Sequence, residues 1–359
     1  MATPIAPDDV VATHEEGAAN DREPLLVTEP LAAFLDERGL GAGDVEIEPV
    51  GEGHSNVTYV IRRGDWEAVI RRPPRGPLPP SAHDVLREAR VLGAVAGKAR
   101  VPGILATCDD ESVIGAPFYV MEKVEGHVVT GTVPPELDNP DDKRRMGEEL
   151  VDALVEVHAV DWQACGLEGF GKPTGYLERQ LRRFNGLWEH NRTRDIPAVE
   201  KVGSWLRDNM PESGPSTIVH GDFRLGNTMM GLESPARLVA IFDWEMSTIG
   251  DPLADLGYTC TLWVDRDDPS LGMFELSAVT RQEGFPSRAE LIARYEEKSG
   301  RSMTDIRWYQ TLALWKSIVF MEGNYKRAIS GATDDPYLKQ FGDGVLQLAD
   351  RAEAMAFGG

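Results

Sequence analysis

Cysteine is scarce. Only Cys108, Cys165 and Cys260 occur, an odd number set too far apart for a metal knuckle, which argues against a disulfide framework and for small buried hydrophobes in a reducing compartment. Long apolar runs are missing as well. No stretch approaches the ~20 residues that span a bilayer, and Met1 to Asn20 carries acidic side chains where a secretory signal needs a basic and then an apolar segment. The expectation is a cytoplasmic protein with no membrane partner. Basic charge is also short: 37 Lys and Arg face 59 Asp and Glu, and the formal net charge of −22 repels a phosphate backbone, which argues against nucleic acid as a partner. Internal repeats and low-complexity tracts are absent.

The sequence does contain a globular protein's composition, 42% hydrophobic and 27% charged, with 36 glycines and 24 prolines dispersed through the chain. Its 359 residues exceed what one compact core usually holds, so two lobes are expected. Residues 1–24 are polar, acidic and aperiodic, the pattern of a mobile tail. From Thr28, which can cap a short helix with Pro30 in its first turn, the chain reaches a stop over Gly39 to Gly43. Strands are predicted at Val45–Val50, Val57–Arg63 and Trp66–Arg72, the second alternating Val57, Tyr59 and Ile61 with other residues, and Gly64-Asp65 turning into the third. The loop Gly51-Glu52-Gly53-His54-Ser55-Asn56 joins the first two. After a proline-rich loop a helix is predicted from Ser81 to Ala96, with Asp84 placed for a capping box. Two more strands, near Val113 and at Phe118–Val124, complete a five-stranded lobe over residues 25–123. Beyond Gly126 the pattern turns helical: Lys143–Val160, Tyr176–Asn191, Ala198–Asn209, Arg288–Lys298, Asp305–Ile329 and Pro336–Met355, in a second lobe over 124–359. The hinge is predicted around Lys123 to Val129.

Chemistry concentrates between Ile218 and Asp243. The apolar pair Ile218-Val219 ends in His220-Gly221-Asp222; Asn227 then opens the short strand Thr228-Met229-Met230, and Leu238 to Phe242 returns antiparallel to finish at Asp243. Asn227 and Asp243 therefore emerge at the same end of one hairpin, with Asp222 on the loop just before it. Two oxygen donors beside a free carboxylate suit magnesium, which takes the rest of its shell from water and phosphates. That leaves Asp222 to act on a hydroxyl, the division of labour phosphoryl transfer requires. A turn aspartate, a capping asparagine or a surface aspartate is commonplace singly; the three together at these offsets are not.

His220-Gly221-Asp222 with Asn227, then Asp243-Trp244-Glu245 and Gly250-Asp251-Pro252-Leu253-Ala254-Asp255-Leu256, resembles the aminoglycoside phosphotransferase and choline kinase-like family, from about residue 28 to about 350. The resemblance implies an α+β, protein-kinase-like two-lobed fold, with a small antiparallel N-lobe sheet, one main helix and a larger helical C-lobe. It implies Asp222 as catalytic base, Asn227 and Asp243 as ligands of Mg2+, ATP lying between the lobes, and Asp255 as a buried brace for the catalytic loop. Met121 to Val124, Glu122 included, sits where such a fold presents backbone groups to adenine; a plain buried strand accounts for the composition equally well.

The N-lobe residues can be weighed separately. Val69 and Arg71 share one strand face, an apolar roof beside a cation for phosphates, with Arg71 standing where protein kinases have lysine and Arg72 on the opposite face as the other candidate. Glu88 falls on the apolar stripe of Val85, Ala89, Leu92 and Val95, so it faces inward and needs a partner that Arg71 would supply. Gly51 and Gly53 could bring backbone amides close to phosphate, with Ser55 as the touching side chain and Asn56 closing the loop. His158, His220, Trp308, Trp315 and Phe320 read as structural.

The function expected is an ATP- and magnesium-dependent small-molecule kinase. The acceptor is an aminoglycoside or choline-like molecule or, from a resemblance to the kinase-like domains fused to some acyl-CoA dehydrogenases, a hydroxy acid or hydroxyacyl thioester; the latter ranks higher. The rival is a regulatory pseudokinase that binds nucleotide without turnover, a case that rests on Arg71. A protein kinase is disfavoured because Asp243 runs almost directly into Gly250-Asp251-Pro252, leaving little room for an activation loop.

Overall fold

The structure is a computed structural model that describes residues 7–50, 56–76, 83–270, 275–333 and 336–358. Gly51, Gly53, Ser55 and the start expected at Ser81 lie outside the described residues. The chain forms two compact units, one of Met1–Glu125 with Asp243–Glu245, the other of Gly126–Phe242 with Met246–Gly359. The division falls two residues beyond the expected 123/124 boundary, and the first unit reclaims three residues from far along the chain.

In the first unit, part of the expected tail is structured. β1 (Val10–Val11) pairs in parallel with β2 (Leu26–Val27), and between them α1 (His14–Ala18) is capped by Thr13, whose side chain accepts from Glu16 N. Arg75 Nη2 reaches Asp9 Oδ1 at 2.6 Å, and a His14 ring nitrogen meets Ser112 O at 2.8 Å. The mobile-tail expectation is therefore wrong for the described residues 7–24, because partners 60 to 100 positions away, which composition does not reveal, hold them. In α2 (Thr28–Asp36) Thr28 is already helical and Val27 is the cap, without a side-chain hydrogen bond.

The five-stranded sheet runs in the order β3-β4-β5-β7-β6, antiparallel throughout: β3 (Glu46–Pro49), β4 (Val57–Arg63), β5 (Trp66–Arg72), β6 (Ile104–Cys108) and β7 (Phe118–Glu122). Val113 is not in a strand. It follows a turn in which Ser112 N donates to Asp110 Oδ1 at 2.9 Å, and the fifth strand is Ile104–Cys108. The period of two divides the sheet. Tyr59, Ile61, Ala68, Ile70, Phe118 and Val120 pack with Leu26, Leu31, Phe34 and Leu35 on one face, which leaves Val60, Val69, Arg71, Tyr119 and Met121 on the other. α3 (Val85–Val95) packs against β6 and β7. It begins four residues later than expected, because Asp84 is itself the cap, accepting from Arg87 N at 3.0 Å, rather than the fourth residue of a capping box.

The second unit is mostly helical: α4 (Pro140–Ala159), α5 (Tyr176–Asn191), α6 (Pro197–Asp208), α7 (Leu253–Leu262), α8 (Arg288–Ser299), α9 (Ile306–Ile329), α10 (Pro336–Lys339) and α11 (Phe341–Phe357). A turn at Gln340 splits the expected last helix in two. Periodicity does not reveal α7, since Leu253–Leu262 is apolar around most of its circumference and shows no amphipathic stripe; only the resemblance implied a helix, at Asp255. Two short antiparallel pairs complete the unit: β8 (Thr217–Val219) with β11 (Thr248–Gly250), and β9 (Thr228–Met230) with β10 (Leu238–Ile241). α5, α6, α9 and α11 share one core around Trp188, Trp308, Trp315 and Leu348. Trp308 and Trp315 donate their indole N–H groups to Leu206 O and Val199 O, each at 2.9 Å. Phe320, expected to pack with them, is 65% exposed. The inward stripe of α9 runs 308, 312, 315, 319 and 322, and position 320 lies off it. No helix among the described residues is long and apolar enough to cross a membrane.

Candidate active site

β8 delivers the chain to His220-Gly221-Asp222, and α7 holds that loop by its backbone. Asp255 Oδ2 accepts from His220 N at 2.6 Å and Oδ1 from Gly221 N at 2.8 Å. Burial alone would raise the Asp255 carboxyl pKa; the hydrogen bond from His158, the electrostatic influence of His158 and His220 and the Gly221 N–H outweigh it and hold the pKa below its usual value. His158 in turn bridges Tyr295 Oη at 2.7 Å and Asp255 Oδ2 at 3.2 Å, so it is the hydrogen-bonded core histidine expected. The His220 ring accepts from Asp222 N at Nδ1 and donates from Nε2 to Phe242 O at 2.9 Å, a tautomer assigned by its partners. Gly221 sits at φ +90°, and a Cβ there would lie 2.7 Å from Met246 O, so both backbone and space require glycine.

The Asp222 carboxylate is held at both oxygens. Oδ1 accepts from Tyr258 Oη at 2.6 Å and lies 3.4 Å from Arg224 Nε; Oδ2 accepts from Asn227 Nδ2 at 2.7 Å. Burial, then the Asp222 charge, raise the Tyr258 phenol pKa well above its ordinary value, so it stays a proton donor. Tyr258 and Arg224 were missed from sequence. Tyr258 is three residues after Asp255, hence on a neighbouring face of one helix, and Arg224 is two after Asp222; once Asp255 was read as a brace, that spacing was the available signal.

Asp243 ends the hairpin at the level of Asn227, since Phe242 N donates to Asn227 O at 2.8 Å. Its φ of +63° is rare outside glycine, and aspartate is among the residues that tolerate it. Asp243-Trp244-Glu245 belongs to the first unit, where it meets the predicted phosphate cation. Arg71 Nε donates to Glu88 Oε2 at 2.9 Å and Nη2 to Asp243 Oδ1 at 2.7 Å. Glu88 Oε1 accepts from Trp244 N at 3.2 Å. Asn56 Nδ2 lies 3.5 Å from Glu88 Oε2 and 3.2 Å from Glu245 Oε2, and its Oδ1 faces His83 Nδ1 at 3.1 Å. Burial works against the Arg71 charge, but Glu88, Tyr119 and Asp243 outweigh it and raise its pKa. Burial also raises the Glu88 carboxyl, with Arg71 opposing and Asp243 adding to the rise. Arg72 is not the alternative cation: it is buried on the opposite face, donating to Pro73 O, Leu25 O and Ile114 O.

Val69 lies opposite Met121 across β5 and β7, on the Arg71 face. Glu122 N–H already donates to Gly103 O at 2.9 Å, so this amide of the expected adenine segment is committed within the sheet; Val124 follows the end of the strand. Among the described residues no group of three or more His, Cys, Asp or Glu could hold a metal. Within the second unit, Asn227 keeps its amide oxygen free of the bond that Nδ2 makes to Asp222; within the first, Arg71 engages one oxygen of Asp243.

The sequence profile described as "Phosphotransferase enzyme family" matches residues 46–291. The chain belongs to this phosphotransferase family. Among curated relatives, acyl-CoA dehydrogenase family member 10 of Mus musculus is 34% identical over 86% of this chain, and acyl-CoA dehydrogenase family member 11 of Homo sapiens is 32% identical over 89%. The chain spans only 29% and 42% of those two proteins. A solved structure from Ralstonia eutropha, assigned as an aminoglycoside phosphotransferase, is 30% identical with a TM-score of 0.80, covering 91% of this chain and 97% of that one. An aminoglycoside phosphotransferase solved with AMP-PNP and hygromycin B, 15% identical with a TM-score of 0.59, covers 92% of this chain and 100% of its own, a likeness of fold alone. The phosphotransferase described here thus has the α+β, protein-kinase-like two-lobed fold.

Proposed function

We propose that the protein is a small-molecule kinase that moves the γ-phosphoryl group of ATP to an acceptor hydroxyl, with Asp222 as the base. The observation that carries this reading is the Asp222 carboxylate, oriented by Tyr258 and Asn227 on a loop whose backbone Asp255 holds. Each carboxylate oxygen has a lone pair beyond the one already engaged, so Asp222 can still accept the acceptor's hydroxyl and take its proton. Its fixed orientation aligns that hydroxyl, and alignment is most of what phosphoryl transfer asks of a protein. Arg71, held by Glu88, would supply positive charge to the phosphates, and Val69 with Met121, Glu122 and Val124 would receive the base; the phosphate contacts expected of Gly51, Gly53 and Ser55 fall outside the described residues. Asn227 and Asp243 would hold magnesium, which would supply charge neutralisation for the phosphates.

Two kinds of relative bear on the acceptor. The Ralstonia eutropha neighbour's assignment points to an aminoglycoside, while the acyl-CoA dehydrogenase names support a hydroxy acid or hydroxyacyl thioester. The second is favoured because several curated relatives, 30–34% identical over 86–89% of this chain, carry acyl-CoA dehydrogenase names. One observation favours the rival regulatory reading: Arg71 Nη2 sits 2.7 Å from Asp243 Oδ1, occupying a carboxylate that turnover needs for metal. ATP consumption across a library of hydroxylated metabolites, with Asp222→Asn as control, separates the two. Turnover that disappears in Asp222→Asn supports the kinase; nucleotide affinity without Asp222-dependent turnover supports the regulatory module.

A further inference from the structure

α9 is buried along much of its length, from Trp308 through Trp315 and again at Ile318, Val319 and Glu322. Within that stretch sits Lys316, a partly buried cation. Its Nζ lies 4.9 Å from the centroid of the Phe184 ring on α5, and the Arg183 guanidinium lies 5.9 Å from the same centroid. No carboxylate among the described residues forms an ion pair with either cation. Other partly buried cations of this unit are matched: Arg194 by Glu322, Arg288 by Asp265 and Asp268, and Arg294 by Asp152. In a chain of net charge −22, two unpaired cations converging on one aromatic ring stand against the trend of the whole molecule.

Asp255 links their neighbourhood to the loop that carries Asp222. α5 and α7 both pack against α9. Asp255, whose oxygens hold the backbone of His220 and Gly221, is close enough to oppose the loss of charge at Lys316. Tyr176, at the start of α5, fills the space against Gly250, just before α7. Burial, with Arg183 adding to it, brings the Lys316 ammonium down to about 8 despite Asp255, as an unpaired cation short of water should behave. One turn further along α9, on the same side as Lys316, Phe320 is exposed.

We propose that Lys316, assisted by Arg183, binds an anionic group of the acceptor, so that this phosphotransferase takes hydroxylated carboxylates or phosphates in preference to the cationic amines of aminoglycoside-type acceptors. The inference rests on the kinase reading for its function but not for its binding. A cation partly stripped of water gains most from a matching anion and repels an ammonium, and Phe184 packs against the ammonium's flank. Lys316 is thus a residue that selects the acceptor and is not among the groups assigned to ATP.

The test is calorimetric binding of matched probes in the presence of AMP-PNP: 3-hydroxybutyrate against 1,3-butanediol, glycerol 3-phosphate against glycerol, and ethanolamine. The expected result is that at least one anion binds tenfold or more tightly than its neutral counterpart, that Lys316→Met removes the difference, and that Lys316→Arg restores part of it. AMP-PNP affinity stays the same in Lys316→Met. Which pair shows the difference tells a carboxylate from a phosphate. The exposed Arg183→Gln, expected to weaken the same anion to a smaller degree, answers the question if Lys316→Met does not fold. Equal binding of anions and neutral counterparts, a preference for ethanolamine, or a preference indifferent to both substitutions overturns the proposal. Anion binding that persists in Asp222→Asn without any ATP turnover in the wild type would sink the kinase reading and leave the anion site standing; Asp222-dependent turnover of the anionic acceptors with a KM unchanged by Lys316→Met and Arg183→Gln would do the reverse.

Discussion

The hydroxyl of Tyr258, 2.6 Å from Asp222 Oδ1, joins Asn227 in fixing the orientation of the carboxylate proposed as the base. A hydrogen bond to a charged group is worth about 1.5–3 kcal/mol, and here it fixes which lone pairs of Asp222 remain for an acceptor. Tyr258→Phe is expected to lower kcat by roughly tenfold, within that range, with KM for ATP unchanged, whereas Asp222→Asn lowers kcat by about 10²–10⁴, the usual worth of a general base. Steady-state kinetics in both substrates check the pair; a Tyr258→Phe enzyme with wild-type kcat would remove Tyr258 from the site. Glu88 works at the same scale. It was legible from sequence because a carboxylate on an apolar helical stripe demands a partner, and Arg71 is that partner at 2.9 Å. The second partner, Asp243, was not legible: it reaches Arg71 from 172 residues away, and no local pattern encodes that return.

Among the elements, α8 carries the clearest local code. Ser287 accepts from Glu290 N, and the Glu290 carboxylate accepts from Ser287 N at 2.8 Å, a reciprocal capping box. Those bonds, with Arg144, hold the Glu290 carboxyl at about 2, below its ordinary 4.5. A carboxyl whose folded pKa is depressed adds stability above its unfolded pKa and loses it as pH falls through the folded value. Glu290 thus helps above about 4.5, and the help fades toward about 2. Glu290→Gln is expected to narrow the stability gap between pH 5 and pH 2.5, read by denaturant unfolding, while Ser287→Ala costs about 1 kcal/mol at neutral pH. α7 is the contrary case. Buried on most sides, it offers no amphipathic stripe, yet it supplies both Asp255 and Tyr258 to the catalytic loop. Helices whose burial is complete are hidden from periodicity arguments for the same reason that they can brace a site.

At the level of the whole molecule, the described residues 7–24 show how far composition can mislead. Their polar, acidic character suggests a tail, but β1 pairs with β2, Leu25 N donates to Asp9 O at 2.7 Å, and Arg75 closes on Asp9. Deleting residues 1–24 is expected to lower the melting temperature by several degrees, since losing about 1–2 kcal/mol of hydrogen bonds and a partly buried ion pair moves Tm by roughly 2–4 °C per kcal/mol in a chain of this class; an unchanged Tm in a thermal melt would make the segment energetically idle. The sequence by itself determined the strands Val57–Arg63 and Trp66–Arg72, the helix Tyr176–Asn191 and the hairpin that Asn227 precedes and Asp243 follows, because periods of 2 and 3.6 and a short connection are local facts. Only the tertiary structure decided what those residues touch: that Asp243 returns to Arg71, that Tyr258 and Arg224 flank Asp222, and that Lys316 lies against a ring with no ion-pair partner among the described residues. Contacts between distant segments follow from packing, and packing is a property of the whole folded chain.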